Sequence, residues 1–185
     1  MARARPYPAY PRTAEPSALN ESSTGADEGI DDLLGDYRRR LLERFRFQPE
    51  PYHQRLRRLD GASLHAPIEP GEWSAHQVIF HVRAADEQAY GPRLMRILRD
   101  ERPELENYDE VAWMTDHYDP DEAADAILDR WQTARRGWAG ILETAPAASW
   151  SRSGLHPFYG ARTLQWWLER AVAHGEDHRR QLEGE

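Results

Sequence analysis

The chain of 185 residues has no cysteine and no lysine, so all 24 of its basic residues are arginine. Without cysteine there are no disulfides, thiolate metal ligands or cysteine nucleophiles. Without lysine there is no Schiff-base chemistry and no phosphate-cradling P-loop lysine. We read the arginine excess as codon bias. No apolar run approaches the ~20 residues that span a membrane, so a soluble domain is expected. The start, MARARPYPAYPRTAEPSALNESSTG, carries arginines but no apolar segment of a signal peptide, which makes the cytoplasm the expected location. Chemistry in this chain has to rest on His, Asp, Glu, Ser, Thr, Tyr or Arg.

What is present fits one globular domain large enough to bury a core, with 39% hydrophobic and 30% charged residues. The net charge is −8, and the arginines are interleaved with acids rather than gathered into a basic stripe. That argues against a nucleic-acid partner and, with no apolar span, against a membrane. Residues 1–28 are rich in Pro, Ser, Ala and Glu without periodicity and read as a disordered tail ahead of a helical domain over 29–185.

Four main helices are expected, packed as an all-α, antiparallel four-helix bundle. The first carries Ile30, Leu33, Leu34, Tyr37, Leu41 and Phe45 at helical spacing and is ended or kinked by Pro49 and Pro51, with a short piece over 52–59. The second opens at Ser74 with Gln77 three residues on, a capping box, and should bend at Gly91-Pro92 before stopping near Glu101. A long connection, residues 102–118, shows little periodicity. Asp119 and Pro120 look like the cap and first position of the third helix, whose stripe is Ile127, Trp131, Ala134, Trp138, Ile141 and Ala145. Residues 146–160 read as loop. The fourth helix runs from about Thr163 to Leu182, with Gly184 at its C-terminal cap.

Two histidines sit inside the apolar stripe of the fourth helix, His174 and His178, four residues apart and therefore on one face. In a chain with eight histidines such a pair is a weak signal by itself. His81 also lies on an inner face, among Val78, Val82 and Ala85. If helices two and four run antiparallel, all three histidines reach the same level. Three imidazoles buried together would be costly without a ligand, so the arrangement points to a divalent metal, with individually hydrogen-bonded core histidines as the alternative.

Trp73-Ser74 at a helix start, His81 seven residues later, His156-Pro157 followed by Gly160 and Thr163-Leu164, and the string AHGEDHRRQL together resemble the DinB-like family, over about residues 30–183. The resemblance implies an up-down-down-up bundle with a long crossover between helices two and three. It implies a metal triad of His81, His174 and His178, zinc or nickel as the ion, and a homodimer in many members. It also implies YfiT-type metal-dependent enzymes, among them hydrolases and thiol-dependent S-transferases and isomerases.

Three histidine ligands leave coordination positions open for water and substrate, the pattern of a catalytic rather than a structural ion. The expected partner is a small-molecule substrate, with a low-molecular-weight thiol as cosubstrate if the reaction is a transfer. Extra acid–base candidates are His156 and Asp177, then Glu176 and His117; His53, His65 and His76 read as surface or boundary residues. Arg83 and Arg93 could meet an anionic substrate, although arginine is too common here for the sequence to single either out. A metal-binding bundle without catalysis and a helical interaction module without metal stay open beside the enzyme.

Overall fold

The computed structural model describes residues 24–184. Helix α1 (Thr24–Phe47) starts ahead of the expected boundary and takes in residues 24–28; the rest of the expected tail lies outside the described residues. The chain turns at Gln48 into α2 (Pro49–Leu56), with proline at the start of the helix, where a missing N–H costs nothing. A short α3 (Gly61–His65) follows, capped by Asp60, whose side chain accepts from Ser63 N at 2.7 Å.

Helix α4 (Ala75–Ala85) opens with the expected capping box. Ser74 Oγ accepts from Gln77 N at 3.2 Å, and Gln77 Oε1 accepts from Ser74 N at 2.9 Å. The expected interruption takes the form of one wide π-turn, Asp86–Tyr90, after which α5 (Gly91–Arg99) continues the same rod with proline in its first turn. The crossover is more ordered than its sequence suggests. It contains α6 (Glu110–His117), capped by Asp109, which accepts from Ala112 N at 3.0 Å. Helix α7 (Ala124–Glu143) begins later than Asp119-Pro120. Asp119 instead closes a turn by accepting from Asp121 N at 2.9 Å.

A 3₁₀ turn (Ala147–Ser151) leads into a hairpin, β1 (Ser153–His156) and β2 (Gly160–Thr163), antiparallel with His156 opposite Gly160. This corrects the expectation of loop over 146–160. Four-residue strands are too short to show alternation, and Leu155 N–H and C=O are paired to the crossover, with Pro103 O and Leu105 N at 2.8 Å each. Gly154 lets that crossover approach: a Cβ there would lie 2.8 Å from Leu105 Cδ1. Helix α8 (Leu164–Glu183) is capped by Thr163 and closed by Gly184 at φ +75°.

The bundle helices are α1, the α4–α5 rod, α7 and α8. Contacts fix their directions. Tyr37 of α1, Gln48 at the turn and Arg55 of α2 meet residues 169, 172 and 182 of α8 in that order, so the α1–α2 run is parallel to α8. Arg46 of α1 meets Glu143 while His53 of α2 meets Asp129, so the α1–α2 run is antiparallel to α7. Asp86 meets Trp131 and, further along the rod, Gly91 lies against Trp138, a parallel pair. His81 meets His174 while Arg93 lies over Trp167, an antiparallel pair. The order is up-down-down-up. Among the described residues no helix is long and apolar enough to cross a membrane.

The core runs the length of the rod, from Tyr52, Ile79 and Trp131 at one end to Leu94, Ile97 and Trp167 at the other. Helix α7 buries Ile127 and Trp131 of its expected stripe, but beyond them its inner face shifts by one position. Ile127, Leu128, Trp131, Arg135, Ala139 and Leu142 point inward, while Ile141 is 51% exposed. The pivot is Arg135, fully buried against Asp86 of the π-turn. Its Nη2 donates to Asp86 Oδ1 at 3.3 Å and to Ala171 O at 3.2 Å, its Nη1 to Phe45 O at 3.2 Å and to Gln48, and its Nε to Asp86 Oδ2. All five guanidinium N–H groups are used, and one side chain ties α1, α4–α5, α7 and α8 together. On α1, Leu41 and Phe45 are buried as expected, whereas Ile30, Leu33 and Tyr37 are exposed.

Candidate metal centre

The capping box sets the phase of α4, so His81 points inward two turns later, and the four-residue spacing on α8 stacks His174 and His178 opposite it. His81 and His174 are buried and His178 is half-buried. Their ring nitrogens lie within 4.8 Å of one another, and His81 Nε2 stands 3.0 Å from His174 Nε2. Two donors each about 2.0–2.1 Å from one zinc would be about 3–4 Å apart. The three rings therefore need only a small contraction to share an ion.

The hydrogen positions support the same arrangement. Gln181 Nε2 donates to Glu72 Oε2 at 3.3 Å, which turns Gln181 Oε1 toward His178 Nδ1 at 2.8 Å. An acceptor at Nδ1 assigns the hydrogen there and leaves the His178 Nε2 lone pair bare, the way metal-binding imidazoles are oriented. Burial holds His81 and His174 well below the ordinary imidazole pKa of 6.5, and the neighbouring imidazoles push in the same direction. Burial lowers His178 as well. All three are neutral at pH 7, as ligation requires.

Aromatic rings wall the triad. Trp73 lies 4.8 Å from His81 and stacks 6.5 Å from His178, and Tyr90 lies 5.4 Å from His174. The crossover contributes Glu110, whose Oε2 is 3.8 Å from His81 Nε2. Burial, then the nearby Asp109 charge, raises the Glu110 carboxyl above its ordinary range. Sequence reasoning missed Glu110 because it sits in a stretch without periodicity; the only local signal was Asp109 as a helix cap. It also missed Gln181 and Glu72, which act through His178 and carry no motif.

The remaining candidates fall elsewhere. His156 is buried, but its neighbours are Arg93, Tyr159 and Trp167, and Trp167 lies seven residues, about 10 Å of helix, before His174. Asp177 is exposed and faces Arg180 at 4.0 Å, a solvated helix-end acid outside the triad. Glu176 is held by Arg179 at 2.8 Å, which lowers its pKa. His117 is exposed and stacked on Trp113 at 3.8 Å. His76, expected at the surface or boundary, is buried: its Nε2–H meets Glu122 O at 2.7 Å and its Nδ1 accepts from Tyr118 at 2.8 Å, which fastens the crossover to α4. Arg83 is spent on Glu122 at 2.5 Å.

The sequence pattern of the DinB superfamily matches residues 44–182. YfiT from Bacillus subtilis, described as a probable metal-dependent hydrolase with an unusual four-helix bundle topology, is similar in structure. Its TM-score is 0.73 at 21% identity, over 92% of this chain and 91% of that one. TT2238, a four-helix bundle protein, gives 0.58 at 22% identity over 80% of this chain and 99% of its own. No curated protein matches.

Proposed function

The chain belongs to the DinB superfamily, and from that membership we propose that it is a metal-dependent enzyme whose single divalent ion is held by His81, His174 and His178. The observation that carries this reading is the convergence of three neutral imidazoles, with Gln181 and Glu72 fixing the hydrogen of His178 on the far nitrogen. Zinc and nickel both sit high in the affinity order of divalent ions for nitrogen donors. Bound there, the ion supplies Lewis acidity, which favours the anionic form of a water or a low-molecular-weight thiol at neutral pH.

The chain's own residues do the rest. Trp73 and Tyr90 keep bulk water away from the histidines, which strengthens every polar contact inside. Glu110 Oε2 is placed to accept a hydrogen bond from the nucleophile on the His81 side. Water as nucleophile makes the enzyme a hydrolase; a thiol makes it an S-transferase or isomerase. The substrate is a small molecule.

Elemental analysis of untagged protein should find close to one ion per chain, and His174→Ala should lose it, since two imidazoles remain. Stoichiometric metal in that variant would refute the assigned triad. Turnover of ester, amide and electrophilic substrates with and without added thiol then separates the two nucleophiles. Metal content without turnover in either series favours a non-catalytic metal-binding bundle.

A further inference from the structure

Arg93, on α5, is 8% exposed, and no carboxylate of the described residues pairs with it. The other buried arginines are compensated, Arg83 by Glu122 and Arg135 by Asp86. The Arg93 guanidinium lies over the Trp167 ring at 4.6 Å and gives one Nη2 hydrogen to Glu106 O at 2.9 Å. Its Nε–H is buried with no partner, and so is the indole N–H of Trp167 beneath it. Burying a cation without a counter-charge is penalised by the desolvation of that charge. Such a residue is retained where something anionic visits.

His156 faces the same guanidinium. Its Nδ1 accepts from two backbone amides of the hairpin turn, Phe158 N at 3.1 Å and Tyr159 N at 3.3 Å. A neutral imidazole has one bare nitrogen and one N–H, so Nδ1 as acceptor puts the hydrogen on Nε2. Yet Nε2 stands 3.1 Å from Arg93 Nη2, which can only donate. Two donors point at each other. An acceptor between or beside them would satisfy both, and none is supplied among the described residues.

This donor cluster adjoins the three histidines. Trp167 and His174 share a face of α8, about 10 Å apart along the helix. The Tyr90 ring sits between them, 6.5 Å from Trp167 and 5.4 Å from His174. We propose that Arg93 Nε–H and His156 Nε2–H bind the carboxylate of the substrate whose reacting end lies at the three histidines, so that the enzyme acts on an organic carboxylate with its reacting group up to about 10 Å from the acid. The substrate class rests on the metal-enzyme reading; the carboxylate pocket itself does not.

Butyrate and its neutral isostere butyramide probe the pocket, with binding followed by calorimetry and by the shift in melting temperature. Wild-type protein should bind butyrate at one site and leave butyramide unbound. Arg93→Met, checked for fold by circular dichroism, should weaken butyrate at least about tenfold, equivalent to about 1.4 kcal/mol. If Arg93→Met does not fold, Arg93→Lys keeps the charge, removes the Nε–H donor and should weaken butyrate in the same direction. His174→Ala should bind butyrate as wild type does. Butyrate binding lost in His174→Ala but intact in the folded Arg93 variant would put the carboxylate on the ion and overturn the proposal, as would a wild type indifferent to butyrate. Protein without metal that still binds butyrate through Arg93 would leave the pocket standing while the metal reading falls.

Discussion

Removing the Asp86 carboxylate should be among the most damaging single changes in this bundle. Asp86 and Arg135 are both fully buried, and the carboxylate receives two of the five guanidinium N–H groups as well as Trp131 Nε1–H at 2.5 Å. Asp86→Leu leaves the charge of Arg135 in the core with only carbonyls and Gln48 around it, and strands the Trp131 donor. Breaking a buried pair in this way costs roughly 3–5 kcal/mol, out of a total stability of about 5–15. At roughly 2–4 °C per kcal/mol for a chain of this size, the melting temperature should fall by about 6–20 °C. The double variant Asp86→Leu/Arg135→Met removes both charges and should recover much of the loss, because the damage lies in the uncompensated partner. Urea unfolding of the two singles and the double gives the cycle. The pair holds Ala171 O, one turn before His174, so metal affinity should fall in the single variant as well. An Asp86→Leu protein within about 1 kcal/mol of wild type, or a double whose loss equals the sum of the singles, would refute this account.

Acid should destabilise the fold through its buried histidines. His156, pressed by burial and by Arg93, is pushed down to about 4 from an ordinary value of 6.5. It is neutral in the folded chain while the unfolded chain takes up a proton below 6.5, so its contribution is complete above that pH and is lost as pH falls toward 4. The urea midpoint should drop between pH 7 and 5, and His156→Gln should show a shallower drop; an unchanged slope would contradict the assignment. Gly91→Ala would put a methyl 2.1 Å from Trp138 Cζ2, where α5 crosses α7. Overpacking of about 1–3 kcal/mol should outweigh the better helix propensity of alanine, about 1 kcal/mol, and lower the melting temperature. A rise would mean the indole yields at no cost.

The parts of this fold legible in the sequence are those governed by local rules. Ser74 and Gln77 announce the start of α4 because a capping box needs only three residues of spacing, and the four-residue step from His174 to His178 guarantees a shared face. The shift in the second half of the α7 face follows from Arg135: a charged residue on the inward stripe breaks the apolar pattern that would reveal it, and its justification, Asp86, lies 49 residues away. The hairpin was hidden for a similar reason. Its strands are stabilised by Pro103 and Leu105 of the crossover, a pairing that no window around residue 155 contains. At the site, the ligands were visible and their supports were not. Glu110, Gln181 and Glu72 are ordinary surface-type residues until the crossover and the α3–α4 connection fold over the triad.

The π-turn acts as a phase setter. At about 100° per residue, the twelve positions from His81 to Arg93 on an unbroken α-helix would leave the two side chains about 120° apart. Five residues per hydrogen-bonded step absorb one position, and the same interval then behaves like about eleven, close to three whole turns. Both side chains thereby face α8, one at His174 and the other at Trp167. The same twelve positions wound as plain α-helix would carry Arg93 about 120° off that face, whereas loss of one residue from 86–90 would let the rod close as ordinary α-helix with Arg93 still facing α8. The π-turn thus lets the rod hold one extra residue without disturbing either the three histidines or what lies beyond them.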